Sequence, residues 1–284
     1  MTLPDTADGE VDPQVLRADL AVGVSAFFTT RAGGVSAPPR DGLNLGAGVG
    51  DDPRAVATNR ARVAAVLGAP VTWSRPVHGR DVARIGPDGR AVGAVGGDAL
   101  AVDALVTTAP GRGVAALAAD CVPVLLAAVV GEGDARAGRP LAVAAVHSGR
   151  RGLLAGVLPA AVEALRAAAG ETSATAPSGV ELRAVVGPAI CGRCYEVPQE
   201  MRGEVGAVEP AAVATTSWGT PALDLPAGVL AQLGRAGVMA TSVGVCTHED
   251  ERFYSYRRDG VTGRFAGVVA TRRGGMPGGA ATGG

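Results

Sequence analysis

The stretch that decides the fold is Val122-Pro123-Val124-Leu125-Leu126-Ala127-Ala128-Val129-Val130, the longest uninterrupted apolar run in the chain. A short apolar run of this kind, free of charged residues, is typical of a strand that is buried on both faces. It is far too short to cross a bilayer as a helix, which takes about 20 residues. The run therefore predicts a buried strand and gives no sign of a membrane span.

Further strands and helices are predicted to alternate on both sides of this run. Strands are predicted at residues 26–30, 103–108, 114–119, 141–146, 182–186, 242–245 and 264–271. Helices are predicted at residues 152–169 and 225–236, and from the acidic and proline start at Asp51-Asp52-Pro53 to Leu67 before Gly68. A surface loop is predicted at residues 131–139. This alternation indicates an α/β (α+β) domain with a buried sheet.

The composition bounds the classes of function. The 284 residues are 47% hydrophobic and 19% charged, which suffices for a sizeable core, but only 3% are aromatic. The 26 basic residues are all arginine and nearly balance 27 acidic residues, so the net charge of -1 argues against a nucleic-acid binder. Because the chain has no lysine, Schiff-base catalysis and a P-loop are excluded.

The ends of the chain differ in composition from its middle. Residues 1–20 are predicted to form a flexible lead and residues 273–284 a flexible glycine-rich tail, which leaves residues 21–272 as a single domain. The first ten residues are acidic and carry no apolar run, so no signal peptide is visible and a cytoplasmic location is expected. In that compartment the four cysteines are expected to be thiols or metal ligands.

Candidate metal ligands stand near the ends of predicted strands. His78, Cys121 and His147 offer two imidazoles and one thiolate, which make a partial zinc shell with a fourth position for water or substrate. Their separations of 43 and 26 residues are not those of a known motif, and lone cysteines and histidines often have structural roles. By spacing alone, a buried Cys121 thiol and hydrogen-bonded loop histidines remain the favoured interpretation.

Two other arrangements of the same residue types are possible. Cys191, Cys194, Cys246 and His248 would supply four ligands for a closed structural zinc. Alternatively, Cys121 and His147 would form a nucleophile and its base without a metal, as in cysteine hydrolases.

A dozen short motifs resemble those of a known family and occur in its order. They are Thr29-Thr30-Arg31-Ala32-Gly33-Gly34-Val35-Ser36, Gly42-Leu43-Asn44-Leu45, Asn59-Arg60, Val77-His78-Gly79, Asp103-Ala104-Leu105-Val106-Thr107, Ala119-Asp120-Cys121-Val122-Pro123, Val146-His147-Ser148-Gly149, Gly187-Pro188-Ala189-Ile190, Cys194-Tyr195-Glu196-Val197, Asp224-Leu225, Cys246-Thr247 and the stretch 253–264. The chain resembles the YfiH-like family, also called the polyphenol oxidoreductase (laccase-domain) or peptidoglycan editing factor family. The resemblance covers residues 26–271.

The resemblance implies a fold, a metal and an activity. It implies layered β-sheets flanked by helices in one domain, of a type shared with cysteine hydrolases, and a zinc ion held by His78, Cys121 and His147. It implies a small-molecule substrate, with phosphorolysis of adenosine, inosine and methylthioadenosine and deamination of adenosine. Other members are assigned to removing serine from muropeptide precursors. Two departures concern the substrate: Pro76 replaces the family's glutamine, and Arg150 replaces its tryptophan.

Several residues are candidates for this chemistry. Anion-binding or substrate-binding candidates are Arg31, Asn44, Arg60, Arg257 and Arg264, since a guanidinium binds phosphate with a two-pronged geometry. Asp120 is a candidate proton shuttle or partner of the metal ligands, with fixing of its loop as the alternative. Cys246 is a candidate fourth ligand or acid, with a buried core thiol as the alternative.

The laccase label is tested by counting histidines. A blue copper site takes two histidines and one cysteine. This would leave one of the three histidines for a multinuclear copper cluster. Multicopper oxidase activity is therefore rejected, and zinc is preferred to copper.

Overall fold

Strands and helices alternate along residues 13–93, 100–134, 136–172 and 179–273, which the computed structural model describes. The strands are β1 Val15–Arg17, β2 Val24–Thr29, β3 Val71–Trp73, β4 Val82–Ile85, β5 Ala104–Thr107, β6 Gly113–Ala118, β7 Val122–Val130, β8 Pro140–Ser148, β9 Val180–Val186, β10 Val213–Thr215, β11 Pro221–Leu223, β12 Met239–Ser242 and β13 Phe265–Thr271. The helices are α1 Pro53–Leu67, α2 Arg150–Ala155, α3 Val157–Thr172, α4 Gln199–Val208, α5 Leu225–Arg235 and α6 Tyr256–Asp259, with a 3-10 turn at Pro210–Ala212.

Most of the strands form two mixed sheets. The first sheet has the order β1-β2-β13-β6-β3, and the second has the order β12-β9-β7-β8-β5-β4. The short strands β10 and β11 pair separately. Both large sheets contain parallel and antiparallel pairs. Strand β3 is parallel to β6, and β4 is parallel to β5. Strand β13 is antiparallel to β6, and β5 is antiparallel to β8.

The core consists of layers on either side of β7, whose side chains alternate between them. Val124 and Leu126 pack with the helices α2 to α5, whereas Leu125 and Ala127 pack against the first sheet. Helix α1 covers the outer face of the first sheet, where Val63 joins an apolar cluster. The architecture is an α/β fold of two stacked sheets flanked by helices, as predicted.

Local sequence signals explain the helix ends that were predicted. The Asp52 carboxylate caps α1 by accepting a hydrogen bond from the Arg54 amide, Pro53 occupies the first turn, and Gly68 ends the helix at φ 74°. The predicted helix at residues 152–169 is instead two helices, because Gly156 adopts φ 82° between them.

Two other boundaries differ from the prediction. The strand predicted at residues 242–245 is β12, which ends at Ser242, before Gly244 adopts φ 66°. Strand β1 falls inside the predicted flexible lead and pairs with β2. Residues 1–12 of the lead, residue 135 of the predicted loop and residues 274–284 of the tail lie outside the described residues. Within the described chain, none of the helices combines the length and apolar character needed to traverse a bilayer.

Candidate metal centre and active site

Three side chains that are distant in sequence meet at one point. His78, Cys121 and His147 each offer a ligand atom, and these atoms all lie within 4.8 Å of one another. The Cys121 Sγ atom is 4.0 Å from His78 Nε2, and the two imidazole rings meet edge to face with centroids 4.8 Å apart. Two nitrogens and one sulfur at this spacing match the ligands and the open coordination of a catalytic zinc.

Strand pairing brings these residues together. Cys121 lies in the tight turn between β6 and β7, and His147 lies near the end of β8. Because β7 and β8 are antiparallel with Val122 opposite Ser148, Cys121 and His147 stand at the same edge of the second sheet. His78 comes from the loop between β3 and β4.

Asp103 organises the site, although the sequence analysis assigned it no role. Its fully buried carboxylate accepts hydrogen bonds from the amides of His78 (2.9 Å) and Gly79 (2.7 Å), and lies 2.9 Å from His147 Nδ1. It thereby fixes the His78 loop and leaves His147 Nε2 as the nitrogen available to a metal. Its position just before β5, beside the other polar strand ends, was the signal that could have identified it.

The backbone is held in an uncommon conformation beside the ligands. Among the described residues other than glycine, positive φ values occur at His78 (61°) and Asp120 (88°). Such conformations persist where the surroundings over-determine them, typically at functional sites.

The electrostatics of the site favour a thiolate. Burial alone would raise the pKa of Cys121, but the charge and hydrogen bonds of His147 and His78 outweigh it and lower the pKa to about 6. Burial opposes the charged form of His147, yet the thiolate and Asp103 raise its pKa to about 9. The pKa of Asp103 is lowered, against its burial, chiefly by its hydrogen bond to His147. The lowered pKa favours the thiolate form of Cys121, which is the form that binds a metal.

A cavity of about 840 Å³ opens above the three ligands. Five arginines line its wall, and they are Arg60, Arg75, Arg150, Arg257 and Arg264. Three aromatic residues, Trp73, Tyr195 and Tyr256, line it as well. The cavity therefore joins a metal-binding group, positive charge and flat apolar surfaces.

Three predicted substrate-binding arginines, Arg60, Arg257 and Arg264, are held in place by carbonyl oxygens. Arg60 donates to the Leu45 carbonyl from Nε (3.0 Å) and Nη2 (2.8 Å) and lies over the Trp73 ring, while burial lowers its pKa to about 10. Arg257 donates to a backbone carbonyl at 2.7 Å, and Arg264 donates to two. Burial also lowers the pKa of Arg264. In the described part of the chain none of these three guanidinium groups forms an ion pair.

Arg31 and Asn44, which were predicted to contact the substrate, do not line the cavity. Arg31 pairs with Asp41 at 2.8 Å and lies over the Tyr254 ring. Asn44 is fully buried, donates to Asp51 at 2.7 Å and accepts the Arg264 amide at 2.8 Å. The side chains of both residues instead make contacts that hold the loops around the site.

Asp120 lines the cavity with its carboxylate already bonded. It accepts hydrogen bonds from Thr247 Oγ1 at 2.7 Å and from the Arg257 amide at 2.6 Å. These contacts fit the alternative role, fixing of the loop next to Cys121, better than that of a proton shuttle.

Cys246, which was predicted as a fourth ligand or acid, is not in the group formed by His78, Cys121 and His147. Its sulfur instead joins Cys191, Cys194 and the Glu249 carboxylate in a separate group. His248, which the sequence suggested as the last ligand there, is not in that group, whose fourth member is Glu249.

Several residues of the cavity wall were not predicted from the sequence. Trp73 was assigned no role, Tyr195 and Tyr256 appeared only as positions in family motifs, and Arg150 appeared as a departure from the family pattern. Nothing in their local sequence distinguishes them, since their roles arise from the folding of distant segments onto one cavity.

Comparison with known proteins places this site in a family. The sequence profile described as "Multi-copper polyphenol oxidoreductase laccase" matches residues 25–272, and the chain belongs to this laccase-like YfiH family. A Streptomyces coelicolor protein named purine nucleoside phosphorylase is 51% identical over 257 residues, 88% of this chain and 97% of its own length. The protein of that name called YfiH in Shigella flexneri is 39% identical over 256 residues, 88% and 95% of the two chains.

Solved structures confirm the fold. A Neisseria meningitidis protein of the family DUF152 has a TM-score of 0.74 at 33% identity, covering 91% of this chain and 99% of that chain. YlmD from Geobacillus stearothermophilus has a TM-score of 0.73 at 32% identity, covering 95% and 100%. The resemblance noted in the sequence is thus confirmed at the level of family and fold.

The multicopper description of the family does not fit the residues of this chain. Of its three histidines, two belong to the Cys121 group. His248 belongs to neither group of metal-binding side chains found among the described residues. A trinuclear copper cluster would need many more imidazoles than this chain has. The names of the relatives also describe an enzyme of a different class.

Proposed function

We propose that this protein is a zinc-dependent purine nucleoside phosphorylase, which cleaves adenosine, inosine and methylthioadenosine to the base and ribose 1-phosphate. The observation that carries the proposal is the His78, Cys121 and His147 group within a cavity lined by five arginines. The name of the relatives in Streptomyces coelicolor and Shigella flexneri supports it.

Phosphate binding is assigned to the arginines of the wall. Arg60, Arg257 and Arg264 are oriented by carbonyl oxygens and keep their charge free of carboxylate partners among the described residues. A guanidinium in this state binds a phosphate dianion strongly and positions it for attack. One phosphate oxygen then forms a bond to C1′ of the ribose while the bond from C1′ to the base nitrogen breaks.

The aromatic residues are assigned to the purine. Trp73 and Tyr195 line the cavity and already lie against Arg60 and Arg257, at 4.8 and 4.9 Å from guanidinium carbon to ring centroid. A purine ring stacks favourably on such surfaces. They supply the flat contact that the family tryptophan, replaced here by Arg150, would otherwise give.

The leaving base carries the electron pair of the broken bond, and it takes up a proton. A zinc ion held by His78, Cys121 and His147 would supply Lewis-acid stabilisation of this negative charge and acidify a bound water. Asp103 keeps His147 in the tautomer needed to hold such an ion. The same chemistry supports adenosine deaminase activity, in which water replaces the amino group at C6.

Incubation of purified protein with adenosine and inorganic phosphate tests the proposal. We expect adenine and ribose 1-phosphate in equal amounts, loss of both products with Cys121→Ser, and full activity in the control Arg252→Gln, whose side chain pairs with Asp250 away from the cavity. Products that form equally without phosphate would contradict phosphorolysis. Release of ammonia and inosine from adenosine tests the deaminase activity separately.

A metal-free hydrolase is the second candidate, and a specific arrangement favours it. Cys121, His147 and Asp103 resemble a nucleophile, its base and the residue that orients the base. In this candidate the thiolate attacks an amide carbonyl, as in removal of serine from a cell-wall precursor. It predicts serine release from the muramoyl-serine precursor, insensitivity to chelators and no turnover of nucleosides.

The remaining proposals concern the bounds of the domain, the cellular location and the class of substrate. We place the catalytic domain at residues 21–272 and the protein in the cytoplasm, where the four free thiols are stable. The substrate is a small molecule, and the near-neutral charge supports no role for nucleic acid.

A further inference from the structure

A second group of metal-binding side chains lies behind the wall of the cavity. It consists of Cys191, Cys194, Cys246 and Glu249, whose ligand atoms all lie within 4.8 Å of one another. We propose that these four residues bind a second zinc ion, which is structural and links two turns of the cavity wall. The first turn comprises residues 191–194 and the second comprises residues 246–249.

The spacing suits tetrahedral zinc. With zinc to sulfur distances of about 2.3 Å, neighbouring ligand atoms of a tetrahedron lie about 3.8 Å apart. Four ligand atoms that all lie within 4.8 Å of one another are compatible with this spacing. Four protein ligands leave no open position, which is the mark of a structural site, unlike the three-ligand site of His78, Cys121 and His147.

The hydrogen bonds of the group are those of a site in its protonated form. The Cys194 thiol donates to Glu249 Oε1 at 3.4 Å, and the Cys191 amide donates to Cys246 Sγ at 3.4 Å. An amide directed at sulfur stabilises a thiolate, and a proton shared by thiol and carboxylate is released when a metal binds. Three thiolates and a carboxylate this close repel one another unless a divalent cation lies between them.

The backbone holds the two turns in place without the ion. In the first turn, the amides of Cys194 and Tyr195 both donate to the Cys191 carbonyl at 3.0 Å. The second turn is joined to the first by the bridge between Ala189 and Cys246 and by a bond from the Thr247 amide to the Ala189 carbonyl, 3.1 Å long. The site is therefore largely preformed, which lowers the entropic cost of binding.

The location gives the ion a role. Ile190 and Tyr195 flank the first turn and line the cavity. Asp120, beside Cys121, accepts the Ile190 amide on its carbonyl at 3.0 Å and Thr247 Oγ1 on its carboxylate at 2.7 Å. Both turns of the second site thus converge on the residue that precedes the Cys121 ligand, so the ion would stabilise the wall and not take part in the reaction.

The first test uses cobalt in the Cys121→Ser protein, whose first site has no sulfur. Tetrahedral cobalt bound to thiolates shows a strong charge-transfer absorption, which can then arise only from the second group among the described residues. We expect this absorption in Cys121→Ser and its loss in Cys121→Ser combined with Cys194→Ser. Absence of the band in Cys121→Ser, or its retention in the double variant, would overturn the proposal.

The second test counts metal in the zinc-loaded protein. We expect two zinc ions per chain in the wild type, loss of one in Cys194→Ser and in Glu249→Ala, and two in the neighbouring control His248→Ala. One ion per chain in the wild type, or fewer than four titratable thiols after denaturation in chelator, would overturn the second site. Because these counts require no catalysis, a protein with two ions and no phosphorolysis would contradict only the proposed function.

Discussion

A single buried carboxylate determines the geometry of the candidate active site. Asp103 bonds the backbone on both sides of His78 and the ring of His147, so one residue orients two of the three ligands. Carboxylates in this position raise the basicity of a histidine ligand and fix its tautomer. At the residue scale, the site therefore depends as much on Asp103 as on the ligands.

Replacement of Asp103 by asparagine should weaken metal binding. The amide removes the negative charge facing His147 and places an N–H2 group where acceptors are needed, so we expect a 10- to 100-fold loss of zinc affinity, on the order found for such partners. Competition with a chromogenic chelator measures it. The exposed Asp88→Asn should bind zinc as the wild type does, and equal affinity in both variants would refute the role of Asp103.

Gly149 provides the space that the ligands occupy. A Cβ atom at this position would lie 2.9 Å from Cys121 Sγ and 2.9 Å from His78 Cδ2. We expect Gly149→Ala to displace both ligands and reduce zinc content and phosphorolysis at least tenfold, with the protein still folded. Gly234→Ala, whose Cβ meets nothing within 4 Å, is the control, and normal zinc content in Gly149→Ala would contradict the crowding.

At the scale of elements, loops without regular structure are held by polar side chains. The Asp51 carboxylate accepts bonds from Ser36 (2.6 Å) and Asn44 (2.7 Å), both buried, and Asn44 in turn holds the Arg264 amide. Partial burial opposes ionisation, but these bonds and the Asp52 amide lower the pKa of Asp51. This network connects Asp51, which precedes α1, to Arg264, which precedes β13 and lines the cavity.

The lowered pKa of Asp51 makes its contribution to stability depend on pH. The stabilisation is complete above the unfolded carboxyl value of about 3.9 and is lost as the pH falls through the lower folded value. We expect Asp51→Asn to reduce the free energy of unfolding by about 1 kcal/mol at pH 7, and the difference from wild type to shrink at pH 3. Urea unfolding at both values measures it, with exposed Asp19→Asn as the control, and a difference that grows on acidification would contradict the sign.

Considered as a whole molecule, the two sheets are joined by a core of small residues with few aromatic rings. Phe28 is one of these few aromatic residues, and it is fully buried between the sheets. Its ring lies so close to Gly187 and Gly267 that a Cβ atom at either would approach it to 2.3 or 2.9 Å. One aromatic residue therefore fills the space left by two glycines, one in β13 and one just after β9.

Truncation of Phe28 should destabilise the whole domain. The substitution would leave an empty space between two sheets that cannot collapse freely. We therefore expect Phe28→Ala to reduce the free energy of unfolding by about 3–5 kcal/mol. Val22→Ala, at a side chain that is 91% exposed, should change it by less than about 0.5 kcal/mol. Chemical unfolding measures both. Similar values for the two variants would show that the sheets are not joined through this residue.

What the sequence by itself determined is local. The buried strands β5, β6, β7 and β8, the capped helix α1 and helix α5 were predicted within a few residues, because apolar runs and capping residues act through neighbours in the chain. Ordered motifs added the family and the group of His78, Cys121 and His147. Charge and lysine content limited the function classes, since these properties do not depend on the fold.

Only the tertiary structure decided which polar residues share a site. It assigned Cys246 to a group with Cys191, Cys194 and Glu249, moved Arg31 and Asn44 out of the cavity, and brought Asp103 between two histidines. The physical reason is that a hydrogen bond or coordination shell joins atoms a few ångströms apart, whatever their separation along the chain. Strand order and register set those distances, and they emerge only when the two sheets pack.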